Sequence, residues 1–454
     1  MDPESKKRSH TIRVIITEIF MVIAGCLLVI ILTFVAMGYN FSLNGSIDQS
    51  GLLQINSLPT GATITIDGEE IFYRTNTSRM LEAGTHTVKL TRDGYDSWEK
   101  QIEISPGILT QVEYPRLFRN NRESETLEDF TKLPTLFSAS PSHTRLLYAQ
   151  KNSREWSLRN IENNSATISK IDLAKILPES WDISELAWSD DASRLTLKIS
   201  SDYYLINLAR PESSLNLTDE FDMKWTKLSA YNSSGETLFG LENNNLRVIS
   251  TGTREVSRVL ISDVATFDNL GENIIYVTTS GEIGLYRLGE TTPIPLKTNT
   301  ESKIKVAISK YLDQDFLTIA EGPLVTVYRG NLSTSDFSLD KMDALESFTL
   351  NFSPTKLYRY NNGRIIVAQN DTSLSIFDSE RKTFSSFQVN NPKIFFLDNY
   401  LIATVENNSL TVRDFDGTNL RTLTSATPDF PAVISSNNDY LYKVDNSALV
   451  RERL

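Results

Sequence analysis

Cysteine occurs once in the 454-residue chain, at Cys26, and histidine three times, at His10, His86 and His143. A single thiol cannot form an internal disulfide, so everything after Cys26 must be held by buried apolar surface. The histidines stand far apart, which removes the usual nitrogen ligands of a metal site. They also leave a Ser/His or Cys/His nucleophile little material. No G-x-S-x-G elbow, H-E-x-x-H helix or Gly-rich phosphate loop occurs. Neither a metal nor an organic cofactor is therefore expected, and no catalytic residue is assigned. Dense Lys/Arg blocks are missing too, and the net charge is −12. An acidic chain repels polyphosphate backbones, so nucleic acid is not an expected partner.

Long apolar runs are absent with one exception, Ile19 to Gly38. Roughly 20 residues of helix span about 30 Å, the thickness of a bilayer's hydrocarbon core. Lys6, Lys7, Arg8 and Arg13 precede the run and no Lys or Arg follows it closely. That asymmetry predicts a single-pass anchor in the plasma membrane: a cytoplasmic tail over 1–18, a transmembrane helix over 19–38, and the bulk of the chain extracytoplasmic. Two alternatives stay open. Ala36-Met37-Gly38 has the small residues of a signal cleavage site, although a signal core is usually about 7–15 residues. Ile23-Ala24-Gly25-Cys26 resembles a lipobox, but apolar rather than polar residues follow its cysteine, as in an ordinary membrane helix.

After a 39–50 linker, short alternating strands begin. Leu53 and Ile55 share one face; Ala62, Ile64 and Ile66 share another, with threonines between them. Pro59-Thr60-Gly61 and Asp67-Gly68 supply turns. Val88 and Leu90, Ile102 and Ile104, then Leu109 and Val112 mark three further strands. Five short strands predict a small antiparallel β-sandwich over 51–118. The ordered run Leu53-x-Ile55-x-Ser57-x-Pro59-x-Gly61-Ala62-x-Ile64-x-Ile66-Asp67-Gly68, then Gly84-Thr85-His86-Thr87-Val88 and Gly94-Tyr95, resembles the PEGA domain. Its name-giving tetrapeptide reads Pro59-Thr60-Gly61-Ala62 here. The resemblance implies a β-sandwich module of prokaryotic surface and envelope proteins without catalytic residues of its own. His86 is then a strand-edge residue, and Tyr95 and Trp98 pack over the sandwich.

Beyond a polar linker or closing strand at 119–134, the chain repeats itself. Leu186-Ala187-Trp188-Ser189-Asp190-Asp191 leads into Arg194-Leu195-Thr196-Leu197 and then Tyr203-Tyr204-Leu205-Ile206. Similar units begin at Leu136, Val264, Leu350 and Ala432, with weaker ones near Leu228, Val306 and Ile394. Units spaced roughly 40 residues apart are the period of four-stranded propeller blades. A mainly β chain with a seven- or eight-bladed β-propeller over 135–454 is predicted. The last unit stops after its third strand, so the segment around Val112 to Phe130 is expected to supply the missing outer one. The blades resemble diverged WD40-like or TolB-like propellers through Trp188-Ser189-Asp190-Asp191 and Phe352-Ser353-Pro354.

Candidate chemistry is sparse. Asp190-Asp191 occupies a repeat turn, where Asp caps backbone amides. Asp414-Phe415-Asp416-Gly417-Thr418-Asn419 has Ser425 where a calcium loop needs Glu, and so reads as a hairpin. Asn-x-Ser/Thr triplets such as Asn216-Leu217-Thr218 read as turn composition. Trp181 and Trp225 precede first strands of blades and are the two candidate ligand-binding residues, by stacking, with inter-blade packing as the alternative role. The expected function is a membrane-anchored binding or scaffold protein of the bacterial envelope, recognising an envelope polymer or protein through its propeller. The alternative is a hydrolase or lyase using carboxylates gathered at the propeller's central mouth.

Overall fold

The computed structural model describes residues 3–36, 39–41, 47–162, 167–298, 304–334, 336–360, 363–389 and 393–454. Met37 and Gly38 of the expected membrane span, and positions 42–46 of the expected linker, lie outside the described residues. Contacts divide the chain into two units, Met1–Asn121 and Arg122–Leu454.

In the first unit the helix Pro3–Ala36 runs through the apolar stretch, so the expected tail over 1–18 is largely helical and continuous with the span. Ile16–Phe34 has a mean hydropathy of 2.6 and no part of it is buried. Such a face of Leu, Ile, Val and Phe is stable in a lipid or signal-recognition environment rather than in water. The hydroxyl of Thr33 donates to the Val29 carbonyl at 2.8 Å, which satisfies it within the helix.

The PEGA-like region is a sandwich of two four-stranded sheets. One contains Tyr39–Phe41, Ile47–Ile55, Thr77–Glu82 and Leu109–Val112; the other runs in the order Glu69–Arg74, Thr63–Ile66, Gly84–Thr91, Trp98–Ile104. The expected all-antiparallel pairing holds with one correction: Leu109–Val112 lies parallel to Ile47–Ile55. Leu53, Ile55, Ala62, Ile64, Ile66, Val88, Leu90, Ile102, Ile104 and Val112 are all buried, while Leu109 is 46% exposed. Gly51 is needed for a close approach, since a Cβ there would stand 2.4 Å from the Ser105 carbonyl oxygen. The Pro59–Ala62 turn is pinned by Thr75, whose carbonyl accepts the Gly61 N–H and whose hydroxyl oxygen accepts the Ala62 N–H. Trp98 is buried edge-on to Tyr114, and Tyr95 lies between the guanidiniums of Arg92 and Arg119. His86 faces the Asp67 carboxylate at 2.6 Å with Nδ1 and the Glu82 carbonyl at 2.9 Å with Nε2. Two acceptors require two ring N–H groups, so this geometry belongs to the imidazolium. Burial alone would lower the His86 pKa, but these two hydrogen bonds outweigh it and raise it.

The second unit holds eight four-stranded antiparallel sheets among its described residues, which settles the blade number at eight. Their first, innermost strands are Pro134–Ala139, Ile183–Trp188, Trp225–Ala230, Val264–Leu270, Ile304–Tyr311, Lys356–Tyr360, Phe395–Phe396 and Val433–Ile434, numbered here blades 1 to 8. Blade 8 draws its fourth strand, Ser124–Asp129, from the other end of the unit, paired to Ala448–Arg453. Phe130, Phe137, Leu146, Tyr148, Val433, Tyr442 and Leu449 form one buried cluster between blades 8 and 1. The ring is also stitched by Tyr148 of blade 1, whose hydroxyl donates to Glu128 of the closing strand at 2.5 Å. Burial, then that carboxylate, pushes the Tyr148 pKa up to about 12.

The repeat signature has a local physical cause. Ser140, Ser189 and Ser435 each accept, through Oγ, the N–H of the residue five positions on. Each backbone N–H also donates to that same residue's carbonyl at 2.9 Å. The turn forces φ of 54°, 56° and 64° on His143, Ala192 and Asn438, the same place in each. Blade 6 departs from the expected frame. Leu350 and Phe352 are buried in the connection from blade 5, and the first strand starts only at Lys356, so Ser353-Pro354 is not the repeat turn.

Candidate functional site

The indoles of Trp181 and Trp225 are 4% and 2% exposed. Trp181 packs edge-on to Trp156 at 5.8 Å and donates its N–H to the Ser153 carbonyl; Trp225 donates to the Leu217 carbonyl at 3.1 Å. Both are occupied by packing next to their blades, and neither presents a ring face to solvent. Asp191 accepts from the Ser189 hydroxyl and the Ser193 N–H. Asp416 accepts twice from Thr418, within a turn closed by the Gly417 N–H on the Asp414 carbonyl. Asn216 caps the helix Leu217–Phe221 by accepting from Thr218 and Asp219.

The chemistry gathers instead along the innermost strands, which border a propeller's central channel. Charged residues stand on these strands in five consecutive blades, Glu185 of blade 2, Lys227 of blade 3, Asp268 of blade 4, Lys305 of blade 5 and Arg359 of blade 6, and the other four all act on the charge of Lys227. Lys227 donates to the Phe267 carbonyl and stands 4.9 Å from the Phe267 ring centroid. Asp268 accepts the Ile308 N–H at 2.9 Å and an Arg359 N–H at 3.1 Å. Arg359 also reaches the Ile308 and Asn269 carbonyls, so one guanidinium ties blades 4, 5 and 6 at the axis. Glu185 is engaged by Lys198 at 3.1 Å and by the Tyr203 hydroxyl at 2.8 Å. Burial lowers the Lys227 pKa first of all; Asp268 and Glu185 oppose that shift, while Lys305 and Arg359 add to it.

Where the first strands of blades 6, 7 and 8 begin, a cavity of about 410 Å³ opens. Lys356, Tyr358 and Gln369 of blade 6, Phe395 and Val405 of blade 7, and Lys393, Asp429, Phe430 and Pro431 of the connecting segments line it. Its size falls within the roughly 300–1,000 Å³ of small-ligand pockets. Tyr358 donates to Gln369 Oε1 at 3.1 Å, and burial holds its phenol well above the usual tyrosine pKa. Lys393 pairs with Asp429 at 2.5 Å. Phe430 is braced edge-on by Phe137 of blade 1. Among the described residues the exposed Lys356 side chain makes no hydrogen bond or ion pair. The mouth therefore offers aromatic walls, a fixed amide and phenol, and one uncommitted ammonium.

Sequence reasoning singled out none of these residues. A signal was present: Lys227, Asp268, Lys305 and Arg359 each interrupt the apolar pattern of a blade's first strand. Only superposing the repeats turns four isolated charges into one belt, and the frame of blade 6 was off by a strand start.

The chain thus joins a small β-sandwich to an eight-bladed propeller. A PEGA domain model matches residues 50–116, so the sandwich is a PEGA domain. No curated protein matches the sequence. Solved structures similar to this chain include the C-terminal WD40 domain of Sif2, at 10% identity over 73% of this chain and 98% of that one, with a TM-score of 0.47. The β-propeller domain of Myceliophteria thermophila Cps50 (Swd1) follows at 9% identity, 72% and 99% coverage, and 0.43. PorZ, an essential bacterial surface component of the type-IX secretion system of Porphyromonas gingivalis, gives 10% identity, 70% and 42% coverage, and 0.42.

Proposed function

We propose that this protein is a single-pass, membrane-anchored binding protein of the bacterial cell envelope. Its N-terminus is cytoplasmic, its sandwich and propeller are extracytoplasmic, and its propeller recognises an envelope polymer or a protein at the channel mouth. The observation that carries the reading is the mouth cavity of about 410 Å³, with Tyr358, Phe395 and Phe430 as walls and Lys356 uncommitted. Aromatic faces bury large area at low conformational cost, and a few fixed polar groups then orient the ligand. The exposed apolar helix and the PEGA domain support the envelope location. The carboxylates at the axis are held by cations and N–H or O–H donors, which suits a binding surface better than acid–base chemistry.

The test is co-sedimentation of the full chain, in detergent, with purified cell-wall material across a salt series. An acidic protein has no generic attraction to an anionic wall, so the expected result is pelleting that resists salt and is lost in Phe430→Ala/Lys356→Ala. Protein left in the supernatant at every salt refutes the polymer reading and directs the search to protein partners.

A further inference from the structure

A cavity of about 240 Å³ lies between blades 2 and 3, at the end of the ring where the first strands finish. Arg194 opens the second strand of blade 2, Asn207 ends its third strand, and Arg210 follows in the loop; Glu236 and Arg254 line the cavity from blade 3. Three guanidiniums thus share a cleft with one carboxylate, on a chain whose net charge is −12. Glu236 is already held by Arg194, which also donates to the Ser234 carbonyl at 3.0 Å. Arg254 has Glu220 at 3.1 Å, a residue that does not line the cavity. Arg210 makes no side-chain hydrogen bond or ion pair among the described residues, not even with Glu212 in the same loop. Asn207 adds a neutral donor. It is 7% exposed, and its Oδ1 accepts the Ala209 and Arg210 N–H groups at 3.1 and 2.9 Å. Two N–H donors settle which end of the amide is oxygen, so the other end is an amino group, with no acceptor among the described residues.

Blade 6 shows the same place in a self-sufficient form. Its third strand ends at Asp378, which accepts the Glu380 and Arg381 N–H groups as Asn207 accepts those of Ala209 and Arg210. Asp378 is 0% exposed and takes the fork of Arg364 at 3.0 and 2.9 Å. Blade 2 keeps this turn and has arginines beside it, but an amide stands where blade 6 has its carboxylate. We infer that the cavity between blades 2 and 3 is an oxyanion site, in which a phosphate or carboxylate group from outside supplies the charge that Asp378 supplies in blade 6. The planar forks of Arg210 and Arg254 suit either group, and the Asn207 amino group adds a donor. Arg194, committed to Ser234 and Glu236, positions the wall and does not bind the anion. The cavity is smaller than the roughly 300–1,000 Å³ of small-ligand pockets, so it takes one acidic group and leaves the rest of the molecule outside. The site does not rest on the reading of the mouth cavity, which opens where first strands begin.

The experiment uses the full chain in detergent micelles, titrated separately with inorganic phosphate and with succinate at constant ionic strength, sodium chloride being the matched control. Binding is followed by calorimetry and by the thermal unfolding midpoint. The expected result is a saturable response to at least one anion, absent with chloride and weakened at least tenfold in Arg210→Gln/Arg254→Gln. A response to phosphate alone or to succinate alone supports the site and assigns the group it takes. Asn207→Asp keeps the acceptor for the two backbone N–H groups and places a carboxylate of the chain in the cleft, so it should abolish the response. Arg210→Gln alone removes a side chain without partners, and keeps the test valid if the other variants do not fold. No response beyond chloride, or an undiminished response in any of these variants that folds, overturns the inference.

Discussion

At the scale of single residues, backbone conformation decides more than side-chain identity does. The hairpin between Ile304–Tyr311 and Gln314–Glu321 closes with Tyr311 opposite Gln314, leaving a two-residue turn of Leu312 and Asp313. Their φ values are 45° and 59°. Elsewhere the same two-residue connection is built from Asn243-Asn244, Asn407-Asn408 and Asn446-Ser447, all at positive φ. Asn tolerates that region through local hydrogen bonding, whereas a left-handed leucine costs roughly 1–2 kcal/mol. Leu312 is 72% exposed and regains little of that by burial. Leu312→Asn should therefore stabilise the propeller by about 1 kcal/mol, read as a higher denaturant midpoint at unchanged slope. An unchanged or lower midpoint would show that the leucine makes a stabilising contact. Asn216 was legible as turn composition, because its role as the cap of Leu217–Phe221 needs only nearby backbone. The axial contact of Asp268 with Arg359 was not legible, since a partner two blades away leaves no trace in local sequence.

At the scale of elements, alternation was readable wherever one strand face is buried and the other wet. The inward residues of the central sandwich strands follow that pattern, as does Arg194–Ile199 of blade 2, whereas the second strands of the other blades are buried on both faces. Glu69–Arg74 and Thr77–Glu82 were missed because they are sheet edges, with Ile71 the one buried residue between them. Blade 8 was recognised with its third strand last, yet what secures that strand is polar. Lys443, 1% exposed, meets Glu452 at 2.7 Å, the Thr424 hydroxyl at 2.9 Å and Asp445 at 3.3 Å. Thr424 also donates to Glu452, and Arg122 approaches Glu452 at 3.8 Å. The network links blade 7, two strands of blade 8 and the residue that opens the propeller unit. Removing one member of a buried pair strands the other charge, at a cost of about 3–5 kcal/mol. Lys443→Ala should lose that much in chemical denaturation, and Lys443→Met/Glu452→Leu should recover most of it. A loss below about 1 kcal/mol in the single variant would mean the pair behaves as if solvent-exposed.

At the scale of the whole molecule, the propeller is a ring whose first and last segments must find each other. Register fixes the closure: Ala448 lies opposite Asp129 and Glu452 opposite Ser124, with a bulge between Leu449 and Val450. Without Ser124–Asp129 the strand Ala448–Arg453 becomes an open edge whose first three residues, now buried, would face water. Long apolar edges pair with other chains. A fragment covering 122–454 should therefore be monomeric and unfold in one transition. A fragment beginning at 131 lacks the outer strand, Phe130 and Glu128, the partner of Tyr148. It should self-associate at micromolar concentration and unfold at a lower midpoint, and a synthetic peptide of 122–132 should reverse both effects by re-forming the pairing. Sedimentation velocity with and without the peptide checks this directly. If the 131–454 fragment stays monomeric and equally stable, ring closure rests on the blade 8 to blade 1 core alone. Ser124–Asp129 would then be a covering strand rather than the clasp that its register implies.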